Sequence, residues 1–364
     1  MKTTDIAHII HQEFPFSLQE NYDNSGIILD FNGEINAILV AFDVTMEVIL
    51  EAIEQKANLI ISHHPVIFSG IKKLSTKNSS DQIIIKAIQH EISIIAVHTN
   101  IDNAITGVNG AIAKKLELKN VEVLRPSSQQ LFKLVTYVPN DFSGAVRDAI
   151  FKSGAGNIGS YSHCSYNSEG EGTFMASKES NPFVGAKEEV HFEPETRIEA
   201  IIPDYLVSNA IKNLKAVHPY EEVAYDLIPI KNTNPLAGAG IVGQLPSEIK
   251  TIDFLKILKS KFNLSVIKHT KIHKEAVKTI AFCGGSGSFL ISDAIAKKAD
   301  IYITGDVKYH EFFDAQDRII MADIGHFESE QHTIDIIIDV MIKKIPNFAI
   351  LKTKTNSNPV HYFI

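Results

Sequence analysis

Short apolar runs that stop at a histidine or an aspartate recur on both flanks of this chain, and nothing else in it constrains the fold as strongly. Residues 37–43 (AILVAFD), 58–62 (NLIIS) and 92–97 (ISIIAV) are rich in small and β-branched side chains and read as buried strands. Amphipathic stretches at 46–56 and 81–90 separate them and read as helices. Parallel strands need a crossover between them, so this alternation predicts an α/β sheet with mainly parallel strands. The rhythm returns at 277–288 (VKTIAFCGGSGS), 299–306 (ADIYITGD) and 318–326 (RIIMADIGH). FLISDAIAKKA and KYHEFFDAQ read as helices between them. One long helix is expected from 326 to about 344, then a last strand in NFAILKTKT.

The pattern breaks at Arg125 and Pro126. Residues 131–138 and 196–203 read as half-exposed strands, each followed by a helix, and 223–230 as a further strand. A glycine- and serine-rich stretch lies between. This order suits a small α+β domain of ferredoxin-like type inserted at 127–232, leaving a discontinuous core of 1–126 and 233–364. The expected fold class is therefore α/β, a split core with a mixed, largely parallel sheet plus the insert. The two core halves have a similar shape, each with two strands ending in His or Asp, but no strict sequence repeat.

At 364 residues the chain is long enough for two domains, and 45 % apolar with 21 % charged residues is ordinary for a globular protein. A net charge of −8 disfavours a general nucleic-acid or anionic-membrane binder, which needs a basic surface. Asp5, His8 and His11 interrupt any signal-peptide core, and no run approaches the ~20 apolar residues of a membrane span. Two distant cysteines make no disulfide framework. These features point to the cytoplasm.

The 15 histidines carry the chemistry. Four clusters are candidates for one site: His63 with His64, His98 with Asp102, Asp306 with His310, and His326 with Glu330. The first three lie at or after strand ends, where open α/β sheets bind ligands. His326 and Glu330 are four apart on one helix and face the same way. Imidazole with carboxylate suits Zn²⁺, Mn²⁺, Fe²⁺ or Co²⁺. Adjacent histidines on extended backbone diverge, which suits two ions about 3.5–4 Å apart with Asp102 or Glu330 bridging. The CGGSGS loop (283–288) could meet a phosphate at a helix N-terminus, or serve as a tight turn. HPYEE (218–222) reads as a helix cap and strand start before it reads as a metal or partner site. Cys164 reads as a small packed residue.

As a set, SHHPVIF (62–68), VHTNID (97–102), TGDVKYHEF (304–312) and ADIGHFESE (322–330) resemble the dinuclear metal-centre family of GTP cyclohydrolase 1 type 2 homologs. NYDNSG (21–26) and CGGSGS match further motifs of that family, and GAGNIGSY, GEGTF, NPFVG and HPYEEVAYD resemble the PII/CutA-like insert of its longer members. The resemblance implies two divalent metal ions held by His63, His64, Asp102, His326 and Glu330. It gives His98 and His310 supporting, substrate-binding or proton-shuttling roles. It also implies a toroidal homohexamer and hydrolysis of GTP to formate and a dihydroneopterin triphosphate. Two rivals stand beside that activity: a metal-dependent phosphoesterase, and a metal-handling or regulatory protein without turnover.

Overall fold

A computed structural model describes residues 1–128, 130–315 and 317–363. The chain divides into two compact units, residues 1–126 with 236–364, and residues 127–235. Among the described residues, no helix is long and apolar enough to cross a membrane.

The first unit opens with α1 (Thr3–Glu13), β1 (Gly26–Leu29) and β2 (Ala37–Ala41). Next come α2 (Met46–Glu54), β3 (Leu59–Ser62), α3 (Ser79–Gln89) and β4 (Ser93–Ala96). Two short helices follow, α4 (Thr99–Asn103) and α5 (Val108–Lys115), then β5 (Lys119–Ser127). Every residue of β2, β3 and β4 is buried, as expected of parallel strands covered on both faces. Thr45 caps α2 by accepting from the Val48 amide, and Val48, Ile49 and Ala52 form its buried stripe. That stripe packs with Leu39, Ile60 and Ile94 of the strands. Each such Ile or Leu contributes about 1.5–3 kcal/mol by leaving water.

The second unit consists of β6 (Leu131–Pro139), α6 (Ser143–Lys152), β7 (Tyr166–Met175), β8 (Val190–Pro203), α7 (Asp204–Val217) and β9 (Tyr225–Ile230). Its sheet has the order β7-β8-β6-β9 with antiparallel neighbours, so the element order is βαββαβ. Leu134, Val138, Ile198, Ala200 and Ile202 form one sheet face and pack on Val146 and Ile150 of α6 and Ala210 and Leu214 of α7.

The chain returns to the first unit through β10 (Asn234–Lys250), α8 (Thr251–Lys261), β11 (Lys268–His269) and β12 (Ala276–Ser286). Then come α9 (Ile291–Ala296), β13 (Ile301–Gly305), β14 (Ile320–Asp323), α10 (His326–Glu330), α11 (Thr333–Lys344) and β15 (Ala349–Lys352). The fold is mixed α/β, and the core strands form two sheets rather than one. Their orders are β1-β4-β3-β2-β15 and β11-β14-β13-β12-β10-β5. The runs β4-β3-β2-β15 and β14-β13-β12 are parallel, and β1, β11 and β10 are antiparallel to their neighbours in those runs.

The connections exchange between the sheets. After β4 the chain passes through α4 to α5, which packs on β12 of the second sheet. After β14 it passes through α10, packed on β12 and β13, to α11, which packs on β2 of the first. The helix expected from 326 to 344 is therefore two helices. Thr333 closes the first by donating its hydroxyl to the Glu330 carbonyl (2.7 Å).

Candidate metal centre

The parallel register of β3 with β4 aligns Ser62 with Ala96, which sets His63 beside Val97. His63 is fully buried, and its Nδ1 donates to the Val97 carbonyl (2.9 Å). Its ring stacks on Phe42, 5.3 Å between centroids. The next residue, His64, points its Nδ1 at Asp43, the residue after the β2 end (2.7 Å). On the second sheet β13 and β14 align Thr304 with Asp323. Two and three residues further on, Asp306 accepts from His326 Nδ1 at 2.7 Å. Asp306 has φ +54°, a left-handed conformation that aspartate tolerates better than most side chains.

With every Nδ1 committed to an oxygen acceptor, the Nε2 atoms are left facing inward. They converge on Glu330. Its Oε2 lies 3.1 Å from His326 Nε2, 3.3 Å from His63 Nε2 and 3.6 Å from His64 Nε2. Asp102 Oδ1 lies 3.9 Å from His63 Nε2. Three groups have donor atoms within 4.8 Å of one another: His63 with Asp102 and Glu330, His64 with His326 and Glu330, and His63 with His64 and His98.

This arrangement calls for positive charge. His63 Nε2, Asp102 Oδ1 and Glu330 Oε2 are buried without a hydrogen-bond partner, a costly state for polar atoms. His64 Nε2 and His326 Nε2 stand 3.2 Å apart, and both lone pairs would point into the gap unless a proton or a cation sits there. The proton equilibria say the same. Burial pushes His63 down to about 4. Burial opposes charge on His64 too, but Asp43 and Glu330 carry it up to about 10. His326 is raised against burial to about 9 by Glu330 and Asp306. Burial and the charge of Glu330 raise the Asp102 carboxyl, while the three imidazoles hold Glu330 well below its ordinary value against burial. Positive charge is favoured on His64 and His326 while His63 stays neutral, and the mixed N/O donor set fits a divalent cation.

The glycine loop serves this centre. A Cβ on Gly285 (φ +60°) would lie 2.2 Å from Glu330 Oε1, and one on Gly284 3.1 Å from its Cγ. The loop amides are already engaged: Gly284 donates to Asn109 Oδ1, Gly285 to Ser329 Oγ and Gly287 to Thr304 Oγ1. The loop is a seat for Glu330, and those amides are not turned to a phosphate.

A pocket of about 330 Å³ opens onto the cluster. His64, His98, Asp102, His326 and Glu330 line it, with Tyr22, Phe68 and Phe289 as apolar walls. Cys283 also lines it, its thiol pushed up by burial.

The Duf34/NIF3 (NGG1p interacting factor 3) family pattern matches residues 1–359. The chain belongs to the Duf34/NIF3 family. A Staphylococcus aureus (strain COL) relative named GTP cyclohydrolase 1 type 2 homolog is 37 % identical over 329 residues, 90 % of this chain and 89 % of that protein. A Bacillus subtilis protein of the same name is 38 % identical over 325 residues, covering 88 % and 87 %. Among solved structures, a Bacillus cereus protein related to NIF3 superposes with a TM-score of 0.85 at 34 % identity, covering 100 % of this chain and 99 % of that one.

In this Duf34/NIF3 chain the five residues singled out as ligands, His63, His64, Asp102, His326 and Glu330, meet in space, and His98 stands beside them. His310 does not join them. It is exposed on the 3-10 turn Tyr309–Ala315, its ring against Tyr309 and Phe313. Asp306, grouped with His310 in sequence, serves His326 instead. Two supporting carboxylates escaped notice. Asp43 ends the first apolar run, so the rule that flagged the other strand ends covers it as well. Asp23, in NYDNSG, accepts from His98 Nδ1 (2.7 Å) and from the Thr99 amide (3.0 Å).

Proposed function

We propose that this chain holds two divalent cations sharing Glu330 and is a metal-dependent hydrolase. Glu330 Oε2, reached by three imidazole nitrogens with no hydrogen-bond partner, carries the reading. His63 and Asp102 would complete one position, His64 and His326 the other. Cations there would supply Lewis acidity and lower the pKa of a nearby water. The protein's own part is orientation and proton transfer. Asp23 fixes His98 so that its Nε2 faces the pocket as a proton acceptor, and Phe42 and Phe327, in edge contact at 5.1 Å, form an apolar wall beside the imidazoles.

The relatives' name suggests GTP, opened to formate and a dihydroneopterin triphosphate, as a second reading. The pocket lining includes Glu20, Asp102 and Glu330 and, among the described residues, neither lysine nor arginine. A triphosphate would have its charge met by the cations alone, so the geometry favours a smaller, less anionic substrate. Unit 127–235 reads as the PII/CutA-like insert, on its βαββαβ order, and the assembly as a toroidal homohexamer, on the family resemblance.

The test is elemental analysis of protein purified without chelator, with a hydrolase screen that includes formate release from GTP. The expected result is about two ions per chain and turnover that His63→Ala abolishes. Metal that exchanges freely, with no turnover of any ester, amide or nucleotide, would favour the metal-handling reading and sink this one.

A further inference from the structure

The second unit contains its own cavity, of about 800 Å³, apart from the metal centre. Strand alternation explains its position. Leu134, Val138 and Ile198 point to α6 and α7, so Tyr137, Glu195 and Arg197 point to the opposite face of the sheet. The cavity lies over that face. Three motifs build it: GEGTF on β7, NPFVG in the following loop and, some thirty residues later, HPYEE after α7. The last two are tied by the Asn181 amide, which donates to Glu221 Oε1 (2.9 Å). His218 anchors HPYEE to the sheet through its Nε2 and the Tyr137 carbonyl (2.9 Å).

The lining has a consistent character. Tyr137, Phe174, Phe183 and Tyr220 contribute rings, with Tyr220 6.2 Å from Phe174 and 6.4 Å from Phe183 between centroids. Glu195, Glu221 and Glu222 contribute carboxylates. Among the described residues, the one cation of the lining is Arg197, which is paired with Glu199 (2.8 Å). Glu195 is only 9 % exposed. Its Oε1 accepts the Tyr220 hydroxyl (2.7 Å), and a Cβ at Gly172 would lie 2.3 Å from its Oε2, so glycine is what admits the carboxylate there. These carboxylates are dispersed: among the described residues, the groups tight enough for a bare metal ion all lie in the core.

We propose that this cavity is a binding site for a small organic cation, an amine or quaternary ammonium on an apolar body. Aromatic faces attract such a cation and a buried carboxylate neutralises it, whereas a bare divalent ion would find no close ligand set. This inference stands independently of the metal reading.

Calorimetric titration of the full-length protein with benzyltrimethylammonium tests it, with benzyl alcohol and phenylacetate as neutral and anionic counterparts. The expected result is saturable binding of the cation, with the alcohol weaker and phenylacetate excluded. Glu195→Gln keeps an acceptor for Tyr220 and removes the charge; it should weaken the cation about tenfold. Phe183→Ala, at a half-exposed loop position, should do so without threatening the fold. Glu330→Gln, in the core, should leave the titration unchanged. Failure of the cation to saturate by about 10 mM overturns the proposal. Equal binding of benzyl alcohol overturns it too, as does sensitivity to Glu330→Gln rather than Glu195→Gln. Loss of self-association in Phe183→Ala without any cation binding would make the cavity an interface between copies and overturn it likewise.

Discussion

The two halves of the core are built alike and used differently. Each has three parallel strands in the same order, β4-β3-β2 and β14-β13-β12. Each third strand leads into a one-turn helix with a histidine and, four residues on, a carboxylate: His98 with Asp102, and His326 with Glu330. Both histidines turn Nδ1 to an outer carboxylate, His98 to Asp23 and His326 to Asp306, and His326 Nε2 also meets its own Glu330 at 3.1 Å. Asp102 reaches one imidazole at 3.9 Å; Glu330 reaches three. Glutamate is one methylene longer, and the end of β12 carries Gly284 and Gly285, which lets the carboxylate lie against the backbone. The loop after β2 carries Phe42 and Asp43 instead, a wall and a prop for imidazoles. A similar frame thus yields a carboxylate shared by three imidazoles on one side and one that reaches a single imidazole on the other.

The largest effect should come from removing that shared carboxylate. Glu330→Ala should leave little bound metal by elemental analysis, whereas Asp102→Ala should keep about one ion per chain. Glu330→Asp, which gives the second half the reach of the first, should fall between, with affinity down about 10–100-fold. Equal losses in Glu330→Ala and Asp102→Ala would erase the asymmetry between the halves.

Much of this was legible in the sequence, because apolar strands end where the chemistry begins. Strand ends and one helical spacing place His63, His64, Asp102, His326 and Glu330 among eight candidates, and the family resemblance selects these five from them. What escaped depends on three dimensions. His310 follows a strand end as Asp306 does, but the segment tightens into a 3-10 turn that leaves the ring outside. The helix spacing of His98 and Asp102 went unread because α4 is a single turn, too short for periodicity. β7 lies in a glycine- and serine-rich stretch; as an edge strand with mostly exposed residues it lacks alternation. The partition of core strands into two sheets has no local signature at all, since both sheets draw on the same kind of apolar run.

The glycine seat offers the next contrast. Gly285→Ala adds a Cβ 2.2 Å from Glu330 Oε1 and places alanine at φ +60°, which costs about 1–2 kcal/mol in backbone strain alone. Metal affinity should drop at least about tenfold and thermal stability should fall, by calorimetric melting with and without metal. An unchanged metal isotherm would mean that Glu330 does not need the loop. Gly26 has no atom within 4 Å of where its Cβ would be but shares a positive φ, +122°. Gly26→Ala should therefore lower stability while sparing metal affinity, and it separates strain from displacement.

The smallest effects should come from the carboxylates behind the imidazoles, one in each half. Asp43 holds His64 and Asp306 holds His326, both at 2.7 Å. Asparagine keeps an oxygen acceptor for Nδ1 and removes the charge that strengthens the imidazole as a donor to metal. The two sites are not equally protected. The Asp43 side chain is 31 % exposed and its second oxygen accepts from Ser357 Oγ (2.6 Å), whereas Asp306 is 53 % exposed. Water screens an exposed charge, so Asp43→Asn should weaken metal binding by up to about tenfold and Asp306→Asn by only a few-fold. Competition titrations against a chelating dye read both. If Asp306→Asn proved the costlier, the second half would depend on its outer carboxylate as the first depends on Asp43, and the contrast between the two halves would reduce to the reach of Glu330.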